Sequence, residues 1–255
     1  MTIEFRHPRP GEEASLRALF TAAFGDEGFT DLFFRTGYAP ERCLAAFDGA
    51  LLAALHWFDC SLDDKKAAYI YGIAAFERCR GRGVGSALIR AALEVLEKRG
   101  YEAIFLVPAE PSLFGYYERF GFRAVSTIRE QTIEAATPLP LRKLTAEEYA
   151  AARKKLRPAH SLLQEGPCLA LLSGYADFYA TDRAVAAVSG DMVWELLGEI
   201  SDAPGLIAAL GRPTATVRTP GPGRPFAMAL GTDRPIYLGL ALDRYNSCIF
   251  AYFDG

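Results

Sequence analysis

AAYIYGIAAFERCRGRGVGSALIRAALEVL, residues 67–96, passes from a strand pattern through a cluster of arginine and glycine into a helix pattern. Ala67 to Phe76 is rich in tyrosine and isoleucine, as a pleated strand prefers. From Val84 onward Leu88, Ala91, Ala92, Val95 and Leu96 recur at helical spacing. Arg90/Glu94 and Glu94/Lys98 sit four apart and Gly100 closes the pattern. Between the two elements, Gly81, Gly83 and Gly85 lack a Cβ, so their backbone N–H groups can turn inward together and approach an anion. The positive end of the following helix favours the same ligand, and Arg78, Arg80 and Arg82 add charge there. The order strand, anion-binding loop, helix is the frame for the rest of the chain.

Glycine spacing alone also fits a plain turn, so the context has to discriminate. The loop lacks the Gly-Lys-Ser/Thr ending that would place a lysine on terminal phosphates and a hydroxyl on magnesium, which argues against ATP and GTP. Gly83-Val84-Gly85 is followed by Ser86-Ala87-Leu88 without a third glycine, and meander strands precede it where a dinucleotide fold would alternate strands with helices.

Working outward, Ile3–His7 reads as a strand, followed by helices carrying Leu16, Leu19, Phe20 and Ala23 and then Phe29–Phe34. Cys43–Phe47 and Leu51–Phe58 read as a hairpin about Asp48-Gly49, expected as a type I′ turn. Ala103–Val107 is an apolar run expected as a central strand, followed by a short helix over Pro111–Phe120 and a strand over Phe122–Ile133. Ala135–Pro140, with two prolines and no periodicity, marks the expected domain boundary.

Arg80-Gly81-Arg82-Gly83-Val84-Gly85 resembles the R/Q-x-x-G-x-G/A motif of the GNAT N-acetyltransferase superfamily, and Tyr116-Tyr117-Glu118-Arg119-Phe120-Gly121-Phe122 resembles its FYxxxGF signature. The element order resembles that family over residues 1–134. The resemblance implies an α+β fold, a mixed sheet with flanking helices, and an N-acetyltransferase moving an acetyl group from acetyl-CoA to an amine by direct attack. It implies that Arg80, Gly81, Arg82, Gly83, Val84, Gly85 and Ser86 hold the pyrophosphate. Ile73, Ala74 and Ala75 then offer main-chain groups to the pantetheine arm and acetyl carbonyl, and Tyr117 faces the thioester sulfur as proton donor. A thiolate leaving group, with a thiol pKa near ~8.5, can be met by a phenol near ~10. Glu110 and Phe105 depart from the family pattern at an asparagine and a glutamate position. The general base is therefore unassigned, with Glu77, Glu110, His56 and Tyr71 as candidates. The alternative reading is a non-catalytic acyl-CoA-binding regulatory or scaffold protein.

These readings divide the chain into residues 1–137, a GNAT-like acetyl-CoA-binding domain, and residues 138–255, a smaller α+β domain. Strands are expected there around Val185, Val193–Leu197, Thr214–Val217 and Ile236–Leu242, with a helix near Leu206–Leu210. Asp182–Gly190 matches Glu41–Gly49 at an offset of 141 residues, which suggests either two similar hairpins or a degenerate GNAT-like repeat. At the same offset the phosphate loop falls on GPGRPF, Gly221–Phe226, where Pro222 and Pro225 remove N–H donors, so no second coenzyme site is expected.

The 255 residues, 51% hydrophobic, suffice for a folded core, and 28 basic against 31 acidic residues give no reason to expect nucleic acid. Five scattered cysteines and three histidines suggest reduced thiols and no metal. The charged start and the lack of a long apolar run predict a cytoplasmic protein off the membrane, with a small-molecule or peptide amine acceptor and a homodimer as an admissible assembly.

Overall fold

The β-rich, aromatic first third of the chain folds as an antiparallel meander. The computed structural model describes residues 3–79 and 81–238. They divide into two units, 3–124 with 228–233 and 125–227 with 234–238. In the first, β1 (Glu4–Arg6) is followed by α1 (Glu13–Phe24) and α2 (Glu27–Thr36), then β2 (Cys43–Asp48), β3 (Ala50–Leu62) and β4 (Lys65–Ala75). The Asp26 carboxylate accepts the Phe29 N–H and so caps α2. Strands β3 and β4 are joined through Asp63 and Asp64, whose φ angles of 48° and 65° are the type I′ geometry that suits strand twist. The Asp48-Gly49 turn differs from the expectation. Only Gly49 has a positive φ, and the pairing slips between Ala46 and Phe47, with Leu52 as the extra residue of a bulged turn.

The chain continues through α3 (Val84–Lys98), β5 (Ala103–Leu106) and α4 (Leu113–Glu118). The strands β1 to β4 pair antiparallel, whereas β5 lies parallel to β4. All four residues of β5 are buried, as the unbroken apolar run requires. Leu16, Leu19, Phe20, Phe29 and Phe33 are buried from α1 and α2, and the Phe20 and Phe33 rings stack 4.3 Å apart.

The second half contributes β6 (Arg123–Glu134), β7 (Arg142–Leu144), α5 (Ala146–Leu156), α6 (Pro167–Ser173), β8 (Asp177–Ala180), β9 (Ala184–Ser189), β10 (Met192–Gly198), α7 (Ala203–Ala209), β11 (Thr214–Pro220) and β12 (Arg224–Leu230). Thr145 and Glu148 close a capping box at the start of α5. Of the strand expected over Ile236–Leu242, the described residues show a single bridge between Ser161 and Tyr237, and 239–242 lie outside them. Ala135 and Ala136 donate their N–H groups to the Pro213 and Pro204 carbonyls within the second unit.

The strand order β1-β2-β3-β4-β5-β12 of the first unit recurs as β7-β8-β9-β10-β11-β6 in the second. Both follow three antiparallel pairings, one parallel and one antiparallel. Each unit takes its last strand from the other half of the chain, since Met228–Leu230 pair with β5 and β6 pairs with β11. The repeat suggested by the sequence is thus present as topology, but in another register. The 141-residue offset aligns β2 with β9, whereas position in the sheet aligns β3 with β9 and β4 with β10. The shared residues come from two hairpins at non-equivalent positions.

The second unit buries Val188, Val193, Leu196, Leu206, Ile207 and Val217 in one cluster. Beside it Glu195, fully buried, accepts hydrogen bonds from Tyr149 Oη at 2.6 Å, Arg153 Nε at 2.7 Å and Tyr237 Oη at 3.1 Å. A buried charge held this way has its desolvation offset by paired charge and satisfied lone pairs.

Candidate functional site

Strand β4 parts from β5 before it ends. Their pairing runs from Ala67↔Ala103 to Tyr69↔Phe105, while β4 continues to Ala75. On its other edge β4 stays paired with β3, but irregularly. Ala54 faces Ala74 and His56 faces Tyr71, so β3 spends one residue, Leu55, where β4 spends two, Gly72 and Ile73. Gly72 sits at φ +60°, and the bulge rotates the peptide units that follow it. Ile73 and Ala74 are buried and Ala75 half-buried. The three residues expected to present main-chain groups thus lie together on the stretch of β4 that β5 leaves unpaired.

From Ala75 the chain enters the glycine loop. Arg78 donates from Nη2 to the Leu51 carbonyl at 2.8 Å and covers the Phe76 ring at 4.4 Å, which fastens the approach to β3. Gly81 and Gly83 have φ angles of 67° and 73°, and Gly83 is the N-cap of α3, so any side chain at either position would strain the backbone. The Ala87 N–H donates to the Gly83 carbonyl at 3.0 Å and opens the helix. Val84, Gly85 and Ser86 form its first turn, where N–H groups precede the intrahelical ladder and the helix dipole is positive. Arg82 is exposed beside them, and Arg80 lies outside the described residues.

Tyr117 is carried by α4, 1% exposed, with Tyr116 edge-on at 5.3 Å and Phe122 at 6.1 Å. Burial, with the neighbouring Tyr116, raises its pKa well above the usual phenol value, so it holds its proton. Ser86 Oγ and Tyr116 Oη lie 3.2 Å apart, a hydrogen bond that joins the first turn of α3 to the helix bearing Tyr117. Sequence reasoning missed this link, which no local pattern announces. It missed the bulge as well, although a glycine inside a strand, as at Gly72, is the usual signal for one.

The four candidate bases are not brought to one place. Glu77 is exposed in a 3-10 turn and Glu110 accepts from Ser112 Oγ at 3.4 Å. His56 and Tyr71 are cross-strand partners buried among the phenylalanines of α1 and α2. Burial lowers the His56 pKa to about 4, with a hydrogen bond to Gly72 opposing the shift, which makes it a weak base. Cys43, Cys60, Cys79 and Cys168 are free thiols, and Cys248 lies outside the described residues. Among the described residues no group of His, Cys, Asp and Glu could hold a metal ion, and no helix is long and apolar enough to cross a membrane.

The model of the acetyltransferase (GNAT) domain matches residues 4–125. Those residues are a GNAT acetyltransferase domain. Solved structures share the fold over a longer stretch. A GCN5-related N-acetyltransferase from Kribbella flavida is 18% identical with a TM-score of 0.68, over 89% of this chain and 70% of its own. A probable N-acyltransferase from Enterococcus faecalis is 14% identical with a TM-score of 0.67, over 90% and 72%. A putative acetyltransferase from Pyrococcus horikoshii is 16% identical with a TM-score of 0.61, over 99% and 96%. At these identities the likeness is one of fold. No curated protein matches the chain in sequence.

The GNAT domain's loop has a changed counterpart in the second unit. Strand β10 carries its own bulge at Trp194, but the link from β10 to α7 runs Glu199-Ile200-Ser201-Asp202. The Asp202 carboxylate sits at the N-cap of α7, holding Thr181 Oγ1 at 2.6 Å and pairing with Arg183. Pro204 removes an N–H from the first turn. A fixed carboxylate occupies the place where the first unit presents glycine N–H groups. Gly221–Phe226, where the sequence offset put this loop, is instead the turn that follows β11 and the first three residues of β12, and no counterpart of α4 intervenes.

Proposed function

We propose that this protein is an acetyl-CoA-dependent N-acetyltransferase working by direct transfer to an amine. The observation that carries the reading is that β4 outruns its pairing with β5 beyond Tyr69, bulges against β3 at Gly72-Ile73 and leads on into a left-handed glycine loop capping α3, with Tyr117 on α4. The loop from Arg80 to Ser86 holds the pyrophosphate with its amides and the helix dipole. Main-chain groups of Ile73, Ala74 and Ala75 take the pantetheine arm by strand addition, and the Ile73 N–H meets the acetyl carbonyl. The acceptor nitrogen attacks that carbon, forming the C–N bond while the carbonyl electron pair moves to oxygen. The pair then returns, the C–S bond breaks with its electrons going to sulfur, and Tyr117 gives that sulfur its proton. The ammonium proton leaves to water and Tyr117 is reprotonated from solvent, so the products are the acetamide and CoA thiol.

Burial keeps Tyr117 protonated, so its O–H is available as a donor to the sulfur as the C–S bond breaks. No side chain of the first unit is required as a base for an amine that arrives neutral. The test is thiol release from acetyl-CoA across a panel of small amines and peptide amino termini. Acceptor-dependent CoA release supports the reading. Tight acetyl-CoA binding with no release across the panel favours a non-catalytic acyl-CoA-binding protein instead.

A further inference from the structure

We propose that His56 is a positioning residue: it fixes the peptide unit of the β4 bulge and so aims the Ile73 N–H at the acetyl carbonyl. The inference rests on the acetyltransferase reading and adds to it a residue that acts through the backbone.

His56 lies on β3, 4% exposed, with Nδ1 3.3 Å from the Gly72 carbonyl oxygen. A carbonyl oxygen only accepts, so the proton of the neutral ring is on Nδ1. That oxygen and the Ile73 N–H belong to one peptide group, which is planar and trans; the described chain has no cis peptide bond. Holding the oxygen against His56 therefore turns the Ile73 N–H to the opposite side. At Gly72, with φ +60° and no Cβ to restrain it, this orientation needs an external constraint.

The ring itself is clamped. Phe20, Phe33, Phe34 and Tyr38 pack edge-on around it at 5.1 to 6.4 Å and 72° to 80°. Its other nitrogen, Nε2, is buried with no hydrogen-bond partner among the described residues. An aromatic hydrocarbon ring would fill the same box without that cost. Among the described residues the only polar contact His56 makes is the one to the bulge, and that contact is what an imidazole supplies and a phenyl ring does not.

Two substitutions separate the roles. His56→Phe fills the box but has no donor; His56→Asn carries an amide N–H at about the reach of Nδ1. Steady-state kinetics with an accepted amine, calorimetric binding of acetyl-CoA, and the infrared carbonyl stretch of bound acetyl-CoA labelled with carbon-13 at the carbonyl give three readouts. For His56→Phe we expect kcat to fall roughly 10- to 100-fold, short of the 10²–10³ of losing an oxyanion donor outright, with acetyl-CoA affinity nearly unchanged. The bound carbonyl stretch should move back toward its free frequency, and His56→Asn should restore most of kcat and of the shift. If His56→Phe does not fold, His56→Gln, whose amide reaches the Nε2 position, replaces it with the same expectation. A folded donorless variant with wild-type kcat and carbonyl stretch overturns the proposal, as does equal damage by His56→Asn and His56→Phe. A wild-type protein that neither binds acetyl-CoA nor releases CoA refutes the acetyltransferase reading itself, whatever the variants do. A wild type that binds and transfers while the variants behave alike removes only the role of His56.

Discussion

Replacing His56 with phenylalanine should change how stability depends on pH. Burial lowers the pKa of His56 to about 4 in the native state, against 6.5 in the unfolded chain. As pH falls below 6.5 the unfolded chain gains a proton that the native protein refuses, so stability is lost through the window from 6.5 down to 4. At about 1.4 kcal/mol per unit, the full effect is about 3 kcal/mol, and about 2 kcal/mol of it is already lost at pH 5. His56→Phe removes the titration and leaves the Gly72 carbonyl without its donor, a pH-independent cost of about 1–3 kcal/mol. The assay is urea unfolding at pH 8, 6 and 5, read by the fluorescence of Trp57, which neighbours His56 on β3, with Trp194 replaced by phenylalanine in both proteins. Wild type should lose about 2 kcal/mol more than the variant between pH 8 and 5. Equal losses would show that His56 is not held neutral by burial, and the aromatic box around it would need another description.

Three further outcomes follow from the geometry. Gly83→Ala puts a Cβ on a residue at φ +73°, costing about 1–2 kcal/mol, and should weaken acetyl-CoA binding at least about tenfold in a calorimetric titration, because the cap of α3 shifts. Tyr117→Phe should lower kcat by roughly 10²–10⁴-fold with acetyl-CoA binding retained, and unchanged turnover would remove it as the acid. In the second unit Arg153→Met leaves Glu195 buried without its cation and should cost about 3–5 kcal/mol in chemical denaturation, whereas adding Glu195→Leu should recover much of the loss.

What the sequence made legible was local. The glycine loop, the helix after it and the strand before it are written in residue type and spacing, and the structure has them at Lys65–Ala75 and Val84–Lys98. The capping box at Thr145 and Glu148 was equally plain in the sequence, yet α5 escaped notice because its apolar face is narrow, burying Tyr149 and Arg153. What stayed hidden depends on pairing. No local signal says that Met228–Leu230 complete the first unit beside β5. The repeat was visible only as a hairpin match one strand out of register, since a bulge, a turn glycine and a pair of adjacent alanines recur in β2–β3 and β9–β10. His56 illustrates the same limit, because a histidine in an apolar run reads as a candidate base until the Gly72 carbonyl is seen beside it.

The β4 bulge, the glycine loop and the first turn of α3 together make up the proposed acetyl-CoA site. Calorimetric titration of the wild-type chain with acetyl-CoA, alongside its melting temperature, tests this directly. Saturable one-to-one binding and a rise in melting temperature are expected, since a ligand bound only by the native state stabilises it by about 2.7 kcal/mol at a hundredfold excess over Kd. No heat of binding and an unmoved melting temperature at saturating acetyl-CoA would contradict it.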